Sequence, residues 1–397
     1  MITTATIPYG RQTIDGTDVA AVATVLRSDR LTQGPAVERF EAALAEYCGV
    51  RHAVAVSHGT AALHLACIAL GVTPGRRVVV PALTFVATAN AVLLAGGEPL
   101  LADVDPRTLN LSPDTALKRA ATDPDAVGIL PVHFAGLPAD IADLGRRARE
   151  RGLFVLEDAC HALGSWYRDE HGRAWPVGCS RHSDATVFSF HPVKHVTCGE
   201  GGAVTTNDAG VARRLRQLRS HGISPGSARQ RDEHGGWYQE MHELGFNARL
   251  TDLQAALGTA QLGRADAWRE RRAELAARYD AALADLPGIR RAQQVPAAAG
   301  AARHAPAPLA WHLYTVRTAR RRELYDHLRA HDVHAQVHYL PVHLHPYYRR
   351  RLGTRPGDHP AAEAYHAEAL SLPLYPTLTE ADQDRVIALI REFHHAS

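Results

Sequence analysis

The chain is poor in lysine. Of its 44 lysine and arginine residues, only Lys118 and Lys194 are lysines. Any chemistry that needs a lysine amine therefore has two candidate positions. Lys118 lies in the helical run A-L-K-R-A, which is flanked by polar residues, so we expect it to be a solvated surface charge.

Long apolar runs, dense positive charge and a cysteine framework are also missing. No segment has eighteen apolar residues in succession, and the first ten residues lack a basic stretch followed by an apolar run, so we expect a cytoplasmic protein without a membrane span. The formal net charge is +2 and the basic residues are scattered, which argues against a nucleic-acid partner. The five cysteines are odd in number and widely spaced, which predicts reduced core thiols.

The sequence is rich in short apolar runs that alternate with helical stretches from residue 51 to about residue 206. This rhythm is typical of an α/β fold with a largely parallel sheet. The length of 397 residues suits a large domain, expected at residues 1–262, and a smaller C-terminal α+β domain, expected at residues 263–397. Residues 253–286 read as one long helical region. The runs W-H-L-Y-T-V-R and A-Q-V-H-Y-L-P-V read as strands.

Lys194 follows a predicted buried strand in the run S-F-H-P-V-K-H-V-T-C-G-E-G-G. Ligands of parallel α/β sheets gather at the carboxyl ends of the strands, so this position is a candidate for chemistry. A lysine forms a Schiff base only as a neutral amine, and it loses its proton readily when it is desolvated or lies near other cations. The alternative is a structural ion pair with a carboxylate. The neighbouring motifs favour the Schiff base, and with it the cofactor pyridoxal phosphate (PLP).

PLP needs a phosphate site, and two segments supply candidates. The run S-H-G-T-A-A-L-H-L follows a strand and opens a helix, so the N–H groups of Gly59 and Thr60 would face an anion. Ordinary helix capping explains the same pattern when it is taken alone. Ser189, at the end of the run A-T-V-F-S-F, is a second phosphate donor.

The ring of PLP needs three further partners. Asp158 ends the run L-F-V-L-E-D, where a carboxylate keeps the pyridine nitrogen protonated and makes the ring an electron sink. His161 is placed to meet the ring hydroxyl. Phe85 is a candidate for the ring face, although core packing explains a lone phenylalanine better.

These motifs, in this order, resemble the DegT/DnrJ/StrS-type nucleotide-sugar aminotransferases, which are PLP enzymes of the aspartate aminotransferase fold (fold type I). The resemblance spans almost the whole chain. Within the family, the runs E-D-A-C-H-A-L-G, S-H-G-I and H-A-Q-V-H-Y-L-P-V resemble the branch that makes UDP-4-amino-4,6-dideoxy-N-acetyl-β-L-altrosamine for pseudaminic acid. The other matching runs are R-L-T-Q-G-P, S-H-G-T-A-A-L, P-A-L-T-F-V-A-T-A-N, F-S-F-H-P-V-K, G-E-G-G-A-V and L-G-F-N-A-R-L-T-D-L-Q-A-A-L-G.

The resemblance implies roles for individual residues and a homodimer with shared active sites. Lys194 would bind PLP covalently, and Asn247 would reach the cofactor of the other subunit. The family's PLP contacts fall on Gly59, Thr60, Asp158 and Ser189. Contacts to the sugar nucleotide are implied for Tyr9, Asp29, Arg30, Leu31, Thr32, Gln336, Val337, His338 and Tyr339. Two departures from the family pattern bear on substrate choice. Many relatives have Gln at the position of His161, and histidine is unusual at His58, beside the phosphate loop, and at His195, beside the lysine.

The implied reaction transfers an amino group from an amino acid, by analogy L-glutamate, to a UDP-linked 4-keto-6-deoxy sugar. A 3-keto nucleotide-sugar or cyclitol aminotransferase of secondary metabolism and a cofactor-binding regulator are the alternatives. Relatives that dehydrate sugars carry His in place of the lysine, so Lys194 favours transamination. No metal site is expected, because His334 and His338 would share a face only on a helix, whereas A-Q-V-H-Y alternates like a strand.

Overall fold

The computed structural model describes residues 6–225, 228–294 and 308–395. Short 3-10 helices occur at Phe134–Gly136 and Val342–Leu344. As far as residue 262, the elements are β1 (Ile7–Pro8), α1 (Gly16–Leu26), α2 (Pro35–Cys48), β2 (His52–Val56), α3 (Gly59–Ala69), β3 (Arg77–Pro81), α4 (Val86–Leu94), β4 (Glu98–Ala102), α5 (Pro113–Ala121), β5 (Ala126–Ile129), α6 (Ile141–Arg149), β6 (Phe154–Asp158), β7 (Trp166–Arg168), β8 (Ala174–Pro176), β9 (Ala185–Ser189), β10 (Gly202–Thr206), α7 (Ala209–Leu218), β11 (Ile223–Pro225), α8 (Ala228–His234), β12 (Gln239–Met241) and α9 (Asp252–Leu262).

The remaining elements form a C-terminal α+β unit. The strands β13, β14 and β16 pair antiparallel in a three-stranded sheet, and β15 pairs in parallel with β1. The elements are α10 (Ala265–Leu283), β13 (Arg290–Arg291), β14 (Tyr314–Arg317), α11 (Arg321–Ala330), β15 (Val333–His334), α12 (Pro346–Leu352), α13 (Pro360–Glu368), β16 (Ala369–Leu372) and α14 (Glu380–His395).

A seven-stranded sheet forms the centre of the fold, with the strand order β2-β10-β9-β6-β5-β3-β4. Neighbours pair in parallel except at β10, which runs antiparallel to both β2 and β9. Side chains of a strand point alternately to the two faces of the sheet. Accordingly, Ala53 and Ala55 join one apolar core, whereas Val54 and Val56 join the other. The predicted α/β fold with a large, mainly parallel sheet is therefore confirmed.

The C-terminal unit has its own apolar core, built from residues of α10, α11, β14, β16 and α14. Ile7 and Leu137 from the earlier part of the chain also pack in it. The division of the chain into domains at residues 262 and 263 stays a prediction. Among the described helices, none is long and apolar enough to cross a membrane.

Two details of the predicted secondary structure are wrong. The helical region of residues 253–286 consists of two helices, because α9 ends at Leu262 and Arg264 turns aside to pair with Asp18. The run A-Q-V-H-Y-L-P-V is mostly irregular. Its ladder is limited to one bridge between Gln336 and Ser371, and the side chain of His338 then bonds to the same serine.

Other expectations hold. Lys118 is exposed in the last turn of α5. All five cysteines are free thiols, of which Cys160 is half-buried and the other four are buried.

Candidate active site

The side chains predicted for catalysis lie at the carboxyl ends of neighbouring parallel strands. Asp158 ends β6 and Ser189 ends β9, and these two strands are paired in parallel. Lys194 lies in the loop that leaves β9, and α3 begins just after the end of β2. The sheet topology thus gathers residues that are far apart in sequence at one edge, as expected for this fold class.

Lys194 is half-buried, and its Nζ lies 3.4 Å from Nε2 of His312. Burial lowers the pKa of this amine, and the buried Arg272 guanidinium lowers it further. Cys160 and Asp158 act in the opposite direction. The net effect favours the neutral amine that a Schiff base requires.

Asp158 is buried and held by donors on both carboxylate oxygens. The hydroxyl of Thr88 donates to Oδ2 over 2.8 Å, and the backbone N–H of Cys160 donates to Oδ1 over 3.2 Å. Thr84 lies 2.7 Å from Thr88, so the two threonines form a short chain of hydroxyls ending on the carboxylate. A carboxylate fixed in this way is suited to hold the protonated nitrogen of a pyridine ring.

A phosphate cradle is formed where the first turn of α3 meets the end of β9. The first N–H groups of a helix have no intrahelical acceptor, so those of Gly59 and Thr60 are available to an anion. The His58 ring caps the helix, accepting the Ala61 N–H at Nδ1 over 3.0 Å. A Cβ on Gly59 would lie only 2.9 Å from that of Ser189, which shows how closely the backbone approaches the serine. The cradle fits the phosphate of PLP.

The rings of Phe85, Phe134 and Tyr339 form an aromatic wall in the site. The ring of Tyr339 is 5.6 Å from that of Phe85 and 6.3 Å from that of Phe134. Phe85 is 54% exposed, so the interpretation of this residue as core packing is wrong. It caps α4 with its ring open to solvent, which leaves it available to a planar ligand.

His161 is buried, and both of its ring nitrogens have partners within the chain. The backbone N–H of Ala135 donates to Nδ1 over 3.3 Å, so the ring proton is on Nε2, which lies 3.2 Å from the hydroxyl of Tyr339. Burial, with Lys194 nearby, holds the pKa of His161 well below its usual range. The imidazole is therefore neutral, and its bond to the PLP ring hydroxyl stays a prediction.

Only some of the predicted substrate contacts lie near His161 and Tyr339. Tyr9 and the buried His338 lie with their rings 5.1 Å apart, and His338 adjoins Tyr339. Gln336 is exposed and Val337 is half-buried against the C-terminal core.

Two other predicted segments lie apart from Lys194. Residues 29–32 are exposed, and Thr32 bridges to Thr251. Asn247 is exposed and bridges to Ser220. Within the described chain, no hydrogen bond, ion pair or ring contact joins either segment to Lys194 or Asp158.

Three residues of the site were missed by the sequence analysis. Thr88 lies in the quoted run P-A-L-T-F-V-A-T-A-N, four residues after Thr84, and this helical spacing was a usable signal. His312 lies in a loop and has no motif of its own. Arg272 belongs to the arginine-rich run R-E-R-R-A-E-L, which resembles a solvated helix face, yet it is 1% exposed.

The chain matches the family model described as the DegT/DnrJ/EryC1/StrS aminotransferase family over residues 12–391. It belongs to this family. The family uses PLP, and similar solved structures include PLP and PMP forms. This member is thus a PLP-dependent sugar aminotransferase, which favours the enzyme over the regulator.

Three similar proteins illustrate the family. The spore coat polysaccharide biosynthesis protein SpsC of Bacillus subtilis is 38% identical over 97% of this chain and 96% of its own. The structure of S. venezuelae DesV in complex with a ketimine intermediate is 36% identical with a TM-score of 0.86, covering 98% of this chain and 99% of that chain. Helicobacter pylori PseC, described as an aminotransferase of pseudoaminic acid biosynthesis, is 27% identical with a TM-score of 0.86, covering 99% and 100%.

Proposed function

We propose that this aminotransferase moves an amino group from L-glutamate to carbon 4 of a UDP-linked 4-keto-6-deoxy sugar, with Lys194 as the residue that binds PLP. The observation that carries the proposal is the environment of Lys194. It is a half-buried amine with a lowered pKa, beside Asp158 and the phosphate cradle, in a chain whose other lysine is exposed.

We assign the residues of the site to the parts of PLP one by one. Lys194 would bind the aldehyde, Asp158 the pyridine nitrogen and His161 the ring hydroxyl. The N–H groups of Gly59 and Thr60, with the Ser189 hydroxyl, would hold the phosphate, while Phe85 would cover the ring. When bound, PLP supplies an electron sink for the carbanion formed at the α-carbon of an amino acid.

Lys194 would act as the base of both half-reactions. With PLP bound, the amine of the donor would displace Nζ, which would then take the α-proton of the donor and pass it to the cofactor. Burial and Arg272 lower the pKa of Nζ, which favours the neutral form that a base needs. In the second half-reaction, the transfer would run in reverse: the same Nζ would take that proton back from the cofactor and deliver it to the sugar carbon that receives the amino group. The amino acid leaves as a keto acid before the sugar reacts, which predicts ping-pong kinetics.

The sugar nucleotide would bind along the aromatic wall. His338 and Tyr339 would contribute from the C-terminal unit, with Gln336 and Val337 just before them in sequence, and Tyr9 from the N-terminal segment packs its ring against that of His338. Residues 29–32 would contribute from the partner subunit. The names of the relatives SpsC and PseC, which refer to a spore coat polysaccharide and to pseudoaminic acid, support a sugar of this kind.

A homodimer would complete the site. The segment from β11 to Asn247 exposes large apolar side chains, with Trp237 81%, Leu244 78% and Met241 64% exposed. Exposed apolar side chains gathered in one segment are typical of a protein interface. Burying them against a second copy would carry the adjacent Asn247 toward the partner's cofactor.

The substrate is tested by incubating the PLP-loaded enzyme with L-glutamate and a panel of nucleotide keto sugars. The panel contains UDP-linked 4-keto-6-deoxy, UDP-linked 3-keto and dTDP-linked 4-keto-6-deoxy sugars, and mass spectrometry with NMR identifies the aminated carbon. We expect the first to react fastest. Faster amination of a 3-keto sugar would refute the assignment to carbon 4 and favour the secondary-metabolism alternative.

A further inference from the structure

His312 contacts the reactive nitrogen of Lys194, although the two residues are 118 positions apart in sequence. Its Nε2 lies 3.4 Å from Nζ, and the residue is only 4% exposed. The backbone of His312 is fixed from two sides. Its N–H donates to the carbonyl of Ala135 over 2.9 Å, and Arg272 Nη1 lies 3.5 Å from its carbonyl oxygen. The imidazole is therefore held in place beside the lysine.

Neighbouring rings fix the imidazole plane. The centroid of the His312 ring is 4.3 Å from that of His161 and 5.7 Å from that of His195. His195 directs its Nε2 to the carbonyl of Ala310 over 3.0 Å, and His161 uses its nitrogens on Ala135 and Tyr339. Of these three described rings, His312 is the one within hydrogen-bond distance of Lys194 Nζ.

The second nitrogen of His312 decides where its proton lies. Nδ1 is buried and has no hydrogen-bond partner in the part of the chain that the structure describes. A buried N–H without an acceptor is rarer than a buried acceptor without a donor. This tendency favours the tautomer with the ring proton on Nε2, from which it points at the nitrogen of Lys194. An amine accepts such a bond only through its lone pair, that is, only when it is uncharged.

Building on the proposed function, we propose that His312 is a positioning residue for transamination, which donates its Nε2–H to the lone pair of Lys194 whenever that amine is free. The bond holds Nζ in one place and opposes its protonation, since a hydrogen bond to the neutral form of a group disfavours the charged form. The role needs a neutral imidazole, and burial holds the pKa of His312 well below its usual range, with Lys194 and the neighbouring histidines adding to this.

Other charged groups also act on the lysine, so a test must separate them from His312. Arg272 disfavours a proton on Nζ, whereas Asp158 and Cys160 favour it. The remaining titratable neighbours are His161, His191, His195 and His338, in all of which burial lowers the pKa. Replacing His312 with a residue of similar size leaves these groups in place. Phenylalanine removes the donor at similar volume, and glutamine restores a donor near the position of Nε2.

The test measures how fast acetic anhydride acetylates each lysine of the cofactor-free full chain as a function of pH. Mass spectrometry of the two lysine peptides gives separate curves for Lys194 and for the exposed Lys118, which serves as the internal reference. In the parent, Lys194 is expected to become reactive at a lower pH than Lys118. In His312→Phe, the reactivity of Lys194 below its transition should fall roughly two- to tenfold, as expected for the loss of one hydrogen bond. His312→Gln should recover most of it.

An unchanged Lys194 curve in His312→Phe would overturn the proposal, and so would a His312→Gln curve equal to that of His312→Phe. Unfolding would expose Lys194 and give both lysines the same pH curve, so a circular dichroism melt of each variant is needed to show that it is folded. Failure of the proposed function is seen separately. If PLP did not protect Lys194 from acetylation in the parent, Lys194 would not be the cofactor lysine, whatever the effect of His312 on its titration.

Discussion

Thr88 donates its hydroxyl hydrogen to Oδ2 of Asp158 over 2.8 Å, at the carboxyl edge of the central sheet. A carboxylate only accepts hydrogen bonds, so the proton of Thr88 is committed to it, and Thr84 donates in turn to Thr88. This relationship joins α4 to the end of β6. It gives the carboxylate one orientation before any ligand binds, which is the kind of preorganisation that a cofactor site requires.

Replacing Thr88 with valine tests this relationship. Valine has nearly the same shape but no hydroxyl, so Asp158 keeps only the donor at Oδ1. A hydrogen bond to a charged group contributes about 1.5–3 kcal/mol, so we expect PLP affinity to fall roughly tenfold or more. Titration of the bound-cofactor absorbance measures it, with Thr24→Val on the exposed face of α1 as the control. Equal PLP affinities in parent and Thr88→Val would contradict the role of Thr88.

Gly59→Ala should damage the phosphate cradle. The new Cβ would lie 2.9 Å from the Cβ and 3.1 Å from the Oγ of Ser189, so either the serine or the first turn of α3 has to shift. Overpacking of this kind costs about 1–3 kcal/mol, and if that cost falls on the bound state, PLP affinity should drop roughly 5- to 150-fold. Gly16→Ala at the start of α1 is the matched control, since its Cβ meets nothing within 4 Å. The prediction fails if Gly59→Ala binds PLP as well as Gly16→Ala does.

His338 makes folding stability depend on pH. Burial lowers its pKa to about 3. The folded chain therefore keeps it neutral, while the unfolded chain takes up a proton below about pH 6.5, so stability is lost as the pH falls from 6.5 toward 3. Between pH 7.5 and 5.5, His338 should account for about 1.4 kcal/mol of the loss in unfolding free energy.

Urea unfolding of the cofactor-free chain at those two pH values measures the contribution. In His338→Asn, the difference between the two free energies should be smaller by that amount, while the control His171→Gln, at an exposed position, should leave the difference as in the parent. If His338→Asn lost as much unfolding free energy between the two pH values as the parent does, His338 would not be the source of the pH dependence.

Trp237→Asp should break the proposed dimer. The indole is 81% exposed in the single chain, and a carboxylate buried in an apolar interface is strongly unfavourable. Sedimentation velocity should show a dimer for the parent and a monomer for the variant. Because Asn247 is proposed to reach the partner's cofactor, PLP affinity should fall with dissociation. A variant that stays dimeric would place the interface elsewhere.

The sequence was enough to predict the framework of the site. Short apolar runs predicted β2, β3, β5, β6, β9 and β10, and the topology of such strands brings Asp158, Ser189 and Lys194 to one edge. Asp158 and Ser189 are the last residues of regular strands and Lys194 lies in the loop after β9, so the strand pattern was enough to place them. The edge strand β4 (Glu98–Ala102) was not among these runs, because it begins with Glu98 and Pro99, which are unfavourable residues in a strand.

The parts that could not be predicted depend on tertiary contacts. His312 and Arg272 reach the lysine from the C-terminal half, and nothing in their local runs distinguishes them from a loop histidine and a surface arginine. Within the described residues, the hydrogen bonds of Arg272 go to backbone carbonyls alone, those of Trp311, His312 and Leu374. Phe85 was misjudged for the converse reason: an apolar residue in an apolar run reads as core, although the turn before α4 directs its ring outward.

The central claim is that Lys194 binds PLP, and the two lysines of the chain make it directly testable. Parent, Lys194→Ala and Lys118→Ala are mixed with PLP, and absorbance spectra are recorded before and after L-glutamate is added. Borohydride reduction and peptide mapping then locate the cofactor. We predict that parent and Lys118→Ala develop the visible band of covalently bound PLP, lose it with L-glutamate and carry the label on Lys194, whereas Lys194→Ala never develops it. A covalent band in Lys194→Ala, or a label on Lys118, would contradict the account.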